Sequence, residues 1–193
     1  MPMIFETLVT TQSGDGVPHL APMGVRYAGE EVLLMPFKPS TTLDNIVATR
    51  CAVLNLTDDV RVFAGCVTGR RDFATLALEG FSGRRLAHTL AHVELDLLRV
   101  EDDELRPVLH MTRRREVAHG TFRGFNRAQA AVIEGAVLVS RLGMLPCDKV
   151  EREIAYLQIA IDKTAGAAEL EAWGWLIAAV QRHLGGLSPA EAA

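Results

Sequence analysis

The sequence predicts an α+β fold, with strands up to about residue 119 and helices beyond it. Three observations carry the assignment. Short β-branched runs separated by glycine-bearing turns fill the first sixty residues, apolar and acidic side chains alternate between residues 93 and 97, and the last third repeats apolar positions at helical spacing. Strands and helices segregated in this way exclude an alternating βαβ order. At 193 residues, with 49% hydrophobic and 23% charged content, the chain suits one domain with an appended subdomain and excludes wholesale disorder.

The elements follow in order. Ile4 to Gln12 is rich in β-branched residues and ends at the turn Ser13-Gly14-Asp15-Gly16. Pro18 to Tyr27 follows, then a turn at Ala28-Gly29-Glu30, then the apolar run Val32 to Phe37, which together predict an antiparallel meander. Thr41 with Asp44 three residues later has the pattern of a capping box, and Leu43, Ile46 and Val47 recur at helical spacing, so a short helix leads into the strand Cys51 to Thr57. Asp58-Asp59 is positioned to cap a further helix through Phe63 and Val67. Residues 69 to 84 show no clean period and are read as loop. Residues 90 to 119 predict a hairpin, with Val93, Leu95 and Leu97 on one face, an acidic tip at 101–104, and a return strand in which Pro107 marks a break or an edge.

Asn126 caps the first long helix, with Gln129 at its third position and Ala130, Ile133 and Val137 on the expected buried stripe. Gly143 and Pro146 end it. The second helix carries Val150, Ile154, Leu157 and Ile161, and the third carries Leu170, Trp173, Ile177, Val180 and Leu184 before Gly185-Gly186. Trp173 is expected in the packing stripe, with Trp175 off it. Residues 188–193 are expected to fray.

Charge and composition narrow the function classes. A net charge of −4 and a pI near 5.9 argue against a protein that grips nucleic-acid phosphates. No apolar stretch approaches the roughly 20 residues of a membrane span, and the start Met-Pro-Met-Ile-Phe-Glu lacks the order of a signal peptide. Three widely spaced cysteines, Cys51, Cys66 and Cys147, read as reduced thiols of a cytoplasmic protein.

The segment Phe37-Lys38-Pro39-Ser40-Thr41-Thr42-Leu43-Asp44-Asn45 is the most informative. A lysine and three hydroxyls stand where a strand gives way to a helix, whose unpaired N–H groups and partial positive charge favour an anion. A second reading stays open: Ser40 or Thr41 is a helix cap and Lys38 a surface charge. In Ala21-Pro22-Met23-Gly24-Val25, proline and glycine inside a strand indicate an edge, a bulge or the close approach of a ligand. Thr10 and Thr11 on the neighbouring strand add hydroxyls to one face or the other.

Taken in order, Glu6-Thr7-Leu8-Val9-Thr10-Thr11, Ala21-Pro22-Met23-Gly24-Val25, Lys38 to Asn45, and Val53-Leu54-Asn55-Leu56-Thr57-Asp58-Asp59 resemble an uncharacterised family of FMN-binding split-barrel proteins, related to flavin reductases and pyridoxamine-phosphate-oxidase-like proteins. Phe125-Asn126-Arg127-Ala128 through Glu134, with Ser140-Arg141-Leu142, also resembles that family, some of whose members are linked to tetrahydromethanopterin one-carbon metabolism. The resemblance implies an antiparallel split β-barrel of about six strands in residues 1–123, a C-terminal helical subdomain in 124–187, and a homodimer with one FMN per subunit near its interface. Carried over, Lys38, Ser40, Thr41 and Thr42 hold the phosphate with Asn45 nearby, Ala21, Pro22, Met23, Gly24 and Val25 lie along the isoalloxazine, and Thr10 and Thr11 face the ring or ribityl chain. Leu43 stands where family members often carry an aromatic residue. The implied function is an oxidoreductase on a small, pterin-related substrate. A flavin carrier or sensor without turnover and a structural partner protein with a vestigial flavin site are the alternatives, and no catalytic acid or base is assigned.

Other clusters are read as structural. His88, His92 and Glu94 have spacings that a metal could use on a helix, but they fall in a loop entering a strand, where His92 and Glu94 share a face. Arg113-Arg114-Arg115 reads as a solvated strand edge, and Cys66 as a buried thiol. Arg127, next to the cap of the first long helix, is a candidate for an anion, and Arg141 suits that helix's C-terminal dipole.

Overall fold

A computed structural model describes residues 3–186, so the expected fraying of residues 188–193 lies outside the described residues. The described residues form two compact units, 3–58 with 73–122, and 59–72 with 123–186. The boundary expected at residue 123 had left 59–72 with the strands. They cluster with the helices because Val62, Phe63, Ala64 and Cys66 bury an apolar face there.

The first unit is a closed antiparallel barrel of six strands, ordered β1 (Phe5–Gln12), β2 (Pro18–Ala28), β3 (Glu31–Leu34), β8 (Val108–Ala118), β7 (Ala91–Glu101) and β4 (Cys51–Leu56). Alternation places Val9, Val25, Leu34, Leu54, Leu95 and Leu109 inside, each at 0% exposure. Helix α1 (Thr41–Thr49) adds Leu43 and Ile46 to the same interior. Strand β3 ends at Leu34, short of the expected Phe37, because Pro36 follows and lacks a ladder N–H. Residues 75–86 form the hairpin of β5 (Thr75–Leu78) and β6 (Phe81–Leu86), where a loop had been expected. Leu76 and Ala77 of β5 are exposed despite being apolar, and a register shift at Ala77/Leu78 breaks the alternation, so no period shows in the sequence. Phe81 packs with Cys51 and Val53 on the outer face of β4.

The arginine run in β8 is not a bare edge. Arg113 pairs with Glu30 at 2.9 Å, Arg114 with Asp96 at 3.7 Å, and Arg115 donates from Nε to Glu94 at 2.9 Å.

The second unit holds α2 (Arg61–Val67), α3 (Arg127–Val139), a 3-10 turn (Leu142–Met144), α4 (Cys147–Thr164) and α5 (Ala167–Gly185). The N-cap of α2 is Val60, whose side chain cannot cap, so the capping role expected of Asp58-Asp59 is corrected: Asp59 stands one residue earlier, accepting from the Arg61 N–H at 3.2 Å and pairing with its guanidinium. Asn126 caps α3 as expected, accepting from Ala128 at 2.7 Å and Gln129 at 3.3 Å. Gln129 does not reach back to close a capping box; its amide bonds Glu169 at 3.1 Å. The buried face of α3 is Ala128, Ala131, Val132, Gly135, Ala136, Leu138 and Val139, while Ala130 is exposed and Ile133 and Val137 only half-buried. The expected stripe is corrected because α3 packs against α2, α4 and α5, and small residues admit those neighbours. In α5 Leu170 is 55% exposed and Leu176 is buried in its place, beside Trp173, whose indole donates to Gln158 at 2.7 Å.

Gly135 stands where α3 and α5 approach closely. A β-carbon there would lie 2.9 Å from Cζ3 of Trp173 and 3.1 Å from Cδ1 of Leu176. Alanine gains helix propensity of ~1 kcal/mol, but forcing an indole aside costs ~1–3 kcal/mol. Gly135→Ala is therefore expected to destabilise the helical unit by about 1 kcal/mol, read as a lower urea midpoint with an unchanged slope.

Candidate anion site at the strand–helix turn

The turn after β3 is held at both ends. Ser40 is the N-cap of α1, its hydroxyl accepting from the Leu43 N–H at 3.2 Å and its carbonyl from Asp44 at 3.0 Å. The cap thus lies one residue before the expected Thr41–Asp44 box. Thr41 and Thr42 supply the first two helical N–H groups, which no carbonyl can reach from within the helix. Thr41 is exposed, Thr42 is buried at 2%, and Lys38 lines a groove of about 370 Å³ with Leu43, Asp44, Val47, Val100 and Asp102. The Lys38 ammonium bonds Asp102 at 2.7 Å and holds that carboxyl below the usual carboxylate range. Ser40 is thus a cap, as the second reading had it, while Lys38 lies on the groove paired with Asp102 and Thr41 and Thr42 carry the leading N–H groups of α1.

The other candidate residues divide by strand alternation. Thr10 and Thr11 face opposite sides of β1. Thr11 points toward α1 and accepts from the Asn45 amide at 3.0 Å, both residues being buried, so Asn45 anchors the helix to the strand. Thr10 faces outward and accepts from the Asn55 amide at 2.6 Å. Asn55, which the sequence reading quoted only as part of a motif, is fully buried and also accepts the Leu86 N–H at 2.7 Å.

Ala21, Pro22, Met23, Gly24 and Val25 pair with β1 from Val9 back to Phe5. β3 covers β2 only from Val25 to Ala28, so among the described residues no strand pairs with the second edge of residues 18–24. Of the three explanations for proline and glycine in this strand, the structure shows the edge: Pro22 has no N–H to waste there. Gly24 makes room for Ile4, whose Cγ2 would lie 2.8 Å from an added β-carbon. Val25 is in the barrel core, with Met23 packed partly against it.

The histidines make a separate cluster. His92 and Glu94 share the outer face of β7 as expected, and both are about 2% exposed. His92 stacks on His119 with ring centroids 5.0 Å apart and Nδ1 2.8 Å from Nε2, and its own Nε2 faces Glu94 Oε1 at 3.6 Å. Burial first, then the neighbouring His119, lowers the His92 pKa below 6.5; burial, then Arg85, lowers that of His119. The unfolded chain therefore binds protons more readily than the folded one, so this contribution to stability is full above about pH 6.5 and falls as pH drops through the lower folded values. Urea midpoints are expected to fall between pH 7 and 5.5, above the carboxylate range, and His119→Gln to flatten that slope.

Cys66 is buried, and burial pushes its thiol up to about 11, against a nucleophilic role. In the helical unit Arg127 is exposed and lines a groove of about 270 Å³ with Glu134, Tyr156 and Ile159. No helix of the described residues is long and apolar enough to cross a membrane.

Comparison with known proteins follows the same division. Among solved structures, an FMN-bound protein of Methanosarcina mazei aligns at a TM-score of 0.79 and 22% identity, over 93% of this chain and 96% of that one. The 2-nitrobenzoate 2-nitroreductase of Pseudomonas fluorescens aligns at 0.53 and 19% identity, over 62% and 66% of the two chains. The NADH:FAD oxidoreductase of Streptomyces globisporus aligns at 0.51 and 13%, over 64% and 82%. These likenesses show the fold. No curated protein matches the chain. The family described as protein of unknown function (DUF447) matches twice, its N-terminal domain at residues 5–119 and its second part at residues 126–178. By that match over most of its length, the chain belongs to the DUF447 family.

Proposed function

We propose that the barrel unit binds FMN with its phosphate at the turn between β3 and α1, and that the protein is an oxidoreductase acting on a small, pterin-related substrate. The observation that carries this reading is the donor set of that turn: a lysine on a groove, an exposed threonine hydroxyl, and two leading helix N–H groups. The same residues fit the chemistry of a phosphate ester, and the uncovered edge of residues 18–24 fits the close approach of a flat ring to backbone groups. The FMN-bound protein of Methanosarcina mazei, similar over nearly the whole chain, supports the choice of flavin. When bound, the flavin supplies the hydride or electron chemistry. The chain's residues bind and orient it: Lys38 and Thr41 grip the phosphate, Asn45 and Thr11 fix α1 to β1, and the β2 edge receives the ring. The reading includes a homodimer with one FMN per subunit, in the cytoplasm, where three cysteines outside any disulfide are expected to stay reduced.

The test is an absorbance spectrum with and without added FMN, followed by anaerobic titration with NADH and NADPH. A yellow protein bleached by one of them and reoxidised by a specific acceptor supports the oxidoreductase. A yellow protein that neither nucleotide reduces supports the carrier or sensor, and a protein that takes up no FMN overturns the reading.

A further inference from the structure

We infer that Asp102 is a built-in competitor for the phosphate, a carboxylate that neutralises Lys38 in the unliganded protein and that a doubly charged ester must displace. The inference rests on the assignment of the turn to FMN. It makes Asp102 a specificity residue: a flavin without a phosphate gains nothing from the exchange, whereas a dianion does.

The pair is built by its surroundings and is not a chance surface contact. Asp102 opens the connection between β7 and β8, and that connection is tied to the segment before α1. The Lys38 N–H donates to the Leu105 carbonyl at 2.9 Å, and Arg106 Nε donates to the Met35 carbonyl at 3.0 Å. The Arg106 guanidinium lies 4.5 Å from the centre of the Phe37 ring. Asp103 stiffens the turn from within, accepting from the N–H groups of Leu105 at 2.9 Å and Arg106 at 2.6 Å. A carboxylate is thus presented to the ammonium at 2.7 Å by an ordered strap.

Charge balance then sets the competition. The groove carries Lys38 against Asp44 and Asp102, so its wall is net negative before a ligand arrives. A dianion can settle there if it takes the ammonium from Asp102, whose side chain is 84% exposed and is free to be rehydrated when released. An exposed pair of this kind is worth up to about a fivefold change in an equilibrium constant.

The experiment measures FMN and riboflavin affinities by flavin-fluorescence titration for the wild type, Asp102→Asn, Lys38→Ala and the double variant. Asp102→Asn is expected to tighten FMN about fivefold at low salt and less at high salt, with riboflavin unchanged. Lys38→Ala is expected to weaken FMN, and the Asn substitution to have a smaller effect on that background than in the wild type, because only the direct repulsion of the dianion is then relieved. FMN affinity unchanged in Asp102→Asn, while Lys38→Ala still weakens binding, overturns the competitor and leaves the phosphate assignment standing. FMN affinity unchanged in Lys38→Ala overturns the phosphate assignment and the competitor with it. Asp102→Ala serves as a second substitution, and its result is expected to match that of Asn.

Discussion

Replacing Lys38 and Thr41 together by alanine is expected to weaken FMN binding by ~2–4 kcal/mol, about 30- to 1000-fold in Kd. Charge-assisted hydrogen bonds are worth roughly 1.5–3 kcal/mol each, about 3–6 for two, and the figure is reduced to ~2–4 because Lys38 is solvent-exposed and paired with Asp102 without a ligand. The fold should barely notice. Ser40 keeps the helix cap, and alanine at Thr41, the first helical residue, is a better helix former. The double variant should therefore unfold at the wild-type temperature while losing FMN but not riboflavin. Equal losses for both flavins would mean that the two residues do not hold the phosphate.

Asn55→Ala is expected to destabilise the barrel by ~3–4 kcal/mol, the largest effect of a single substitution foreseen here. The residue has no solvent exposure and serves three strands at once. Its amide donates to Thr10 Oγ1 at 2.6 Å and to the Leu8 carbonyl at 3.2 Å on β1, and its oxygen accepts the Leu86 N–H at 2.7 Å on β6. Truncation leaves the Leu86 N–H and the Thr10 hydroxyl buried without this partner, at ~1–3 kcal/mol each, and adds a small cavity. At roughly 2–4 °C per kcal/mol for a chain of this size, the thermal midpoint should fall by about 6–16 °C. Asp in place of Asn restores the acceptor but buries a charge, and should do no better. A drop under about 3 °C would mean that the β1–β4–β6 junction does not depend on this amide.

The sequence spoke most clearly where one physical constraint dominates. Alternation along Val93, Leu95 and Leu97 and the glycine-bearing turns at 13–16 and 28–30 gave the strands their order, and Asn126 marked a helix start because few side chains cap as well. The hairpin at 75–86 was hidden because its strands are four and six residues long and its burial comes from Phe81 and Leu86 packing on another strand. The stripe on α3 misled because periodicity finds large apolar residues, whereas a helix with neighbours on several sides buries its small ones, Ala128, Ala131 and Gly135. At the candidate site the lysine and hydroxyls were legible as a group, since a helix start with free donors is a local feature. What each hydroxyl does was not. The division between Ser40 as cap, Thr42 as buried residue and Thr41 as exposed donor depends on where the helix begins, and a shift of one residue exchanges their roles. Asp102 and Asn55 were invisible as partners because they lie 64 and 45 residues from Lys38 and Thr10.

The central claim is that the turn leaving β3 receives a phosphate ester of flavin. Parallel titration of the wild-type protein with FMN and with riboflavin, two ligands that differ by that ester, tests it most directly. The account predicts saturable FMN binding at least tenfold tighter than riboflavin, with the gap narrowing as salt is raised. Equal affinity for the two flavins, or uptake of neither, would contradict it.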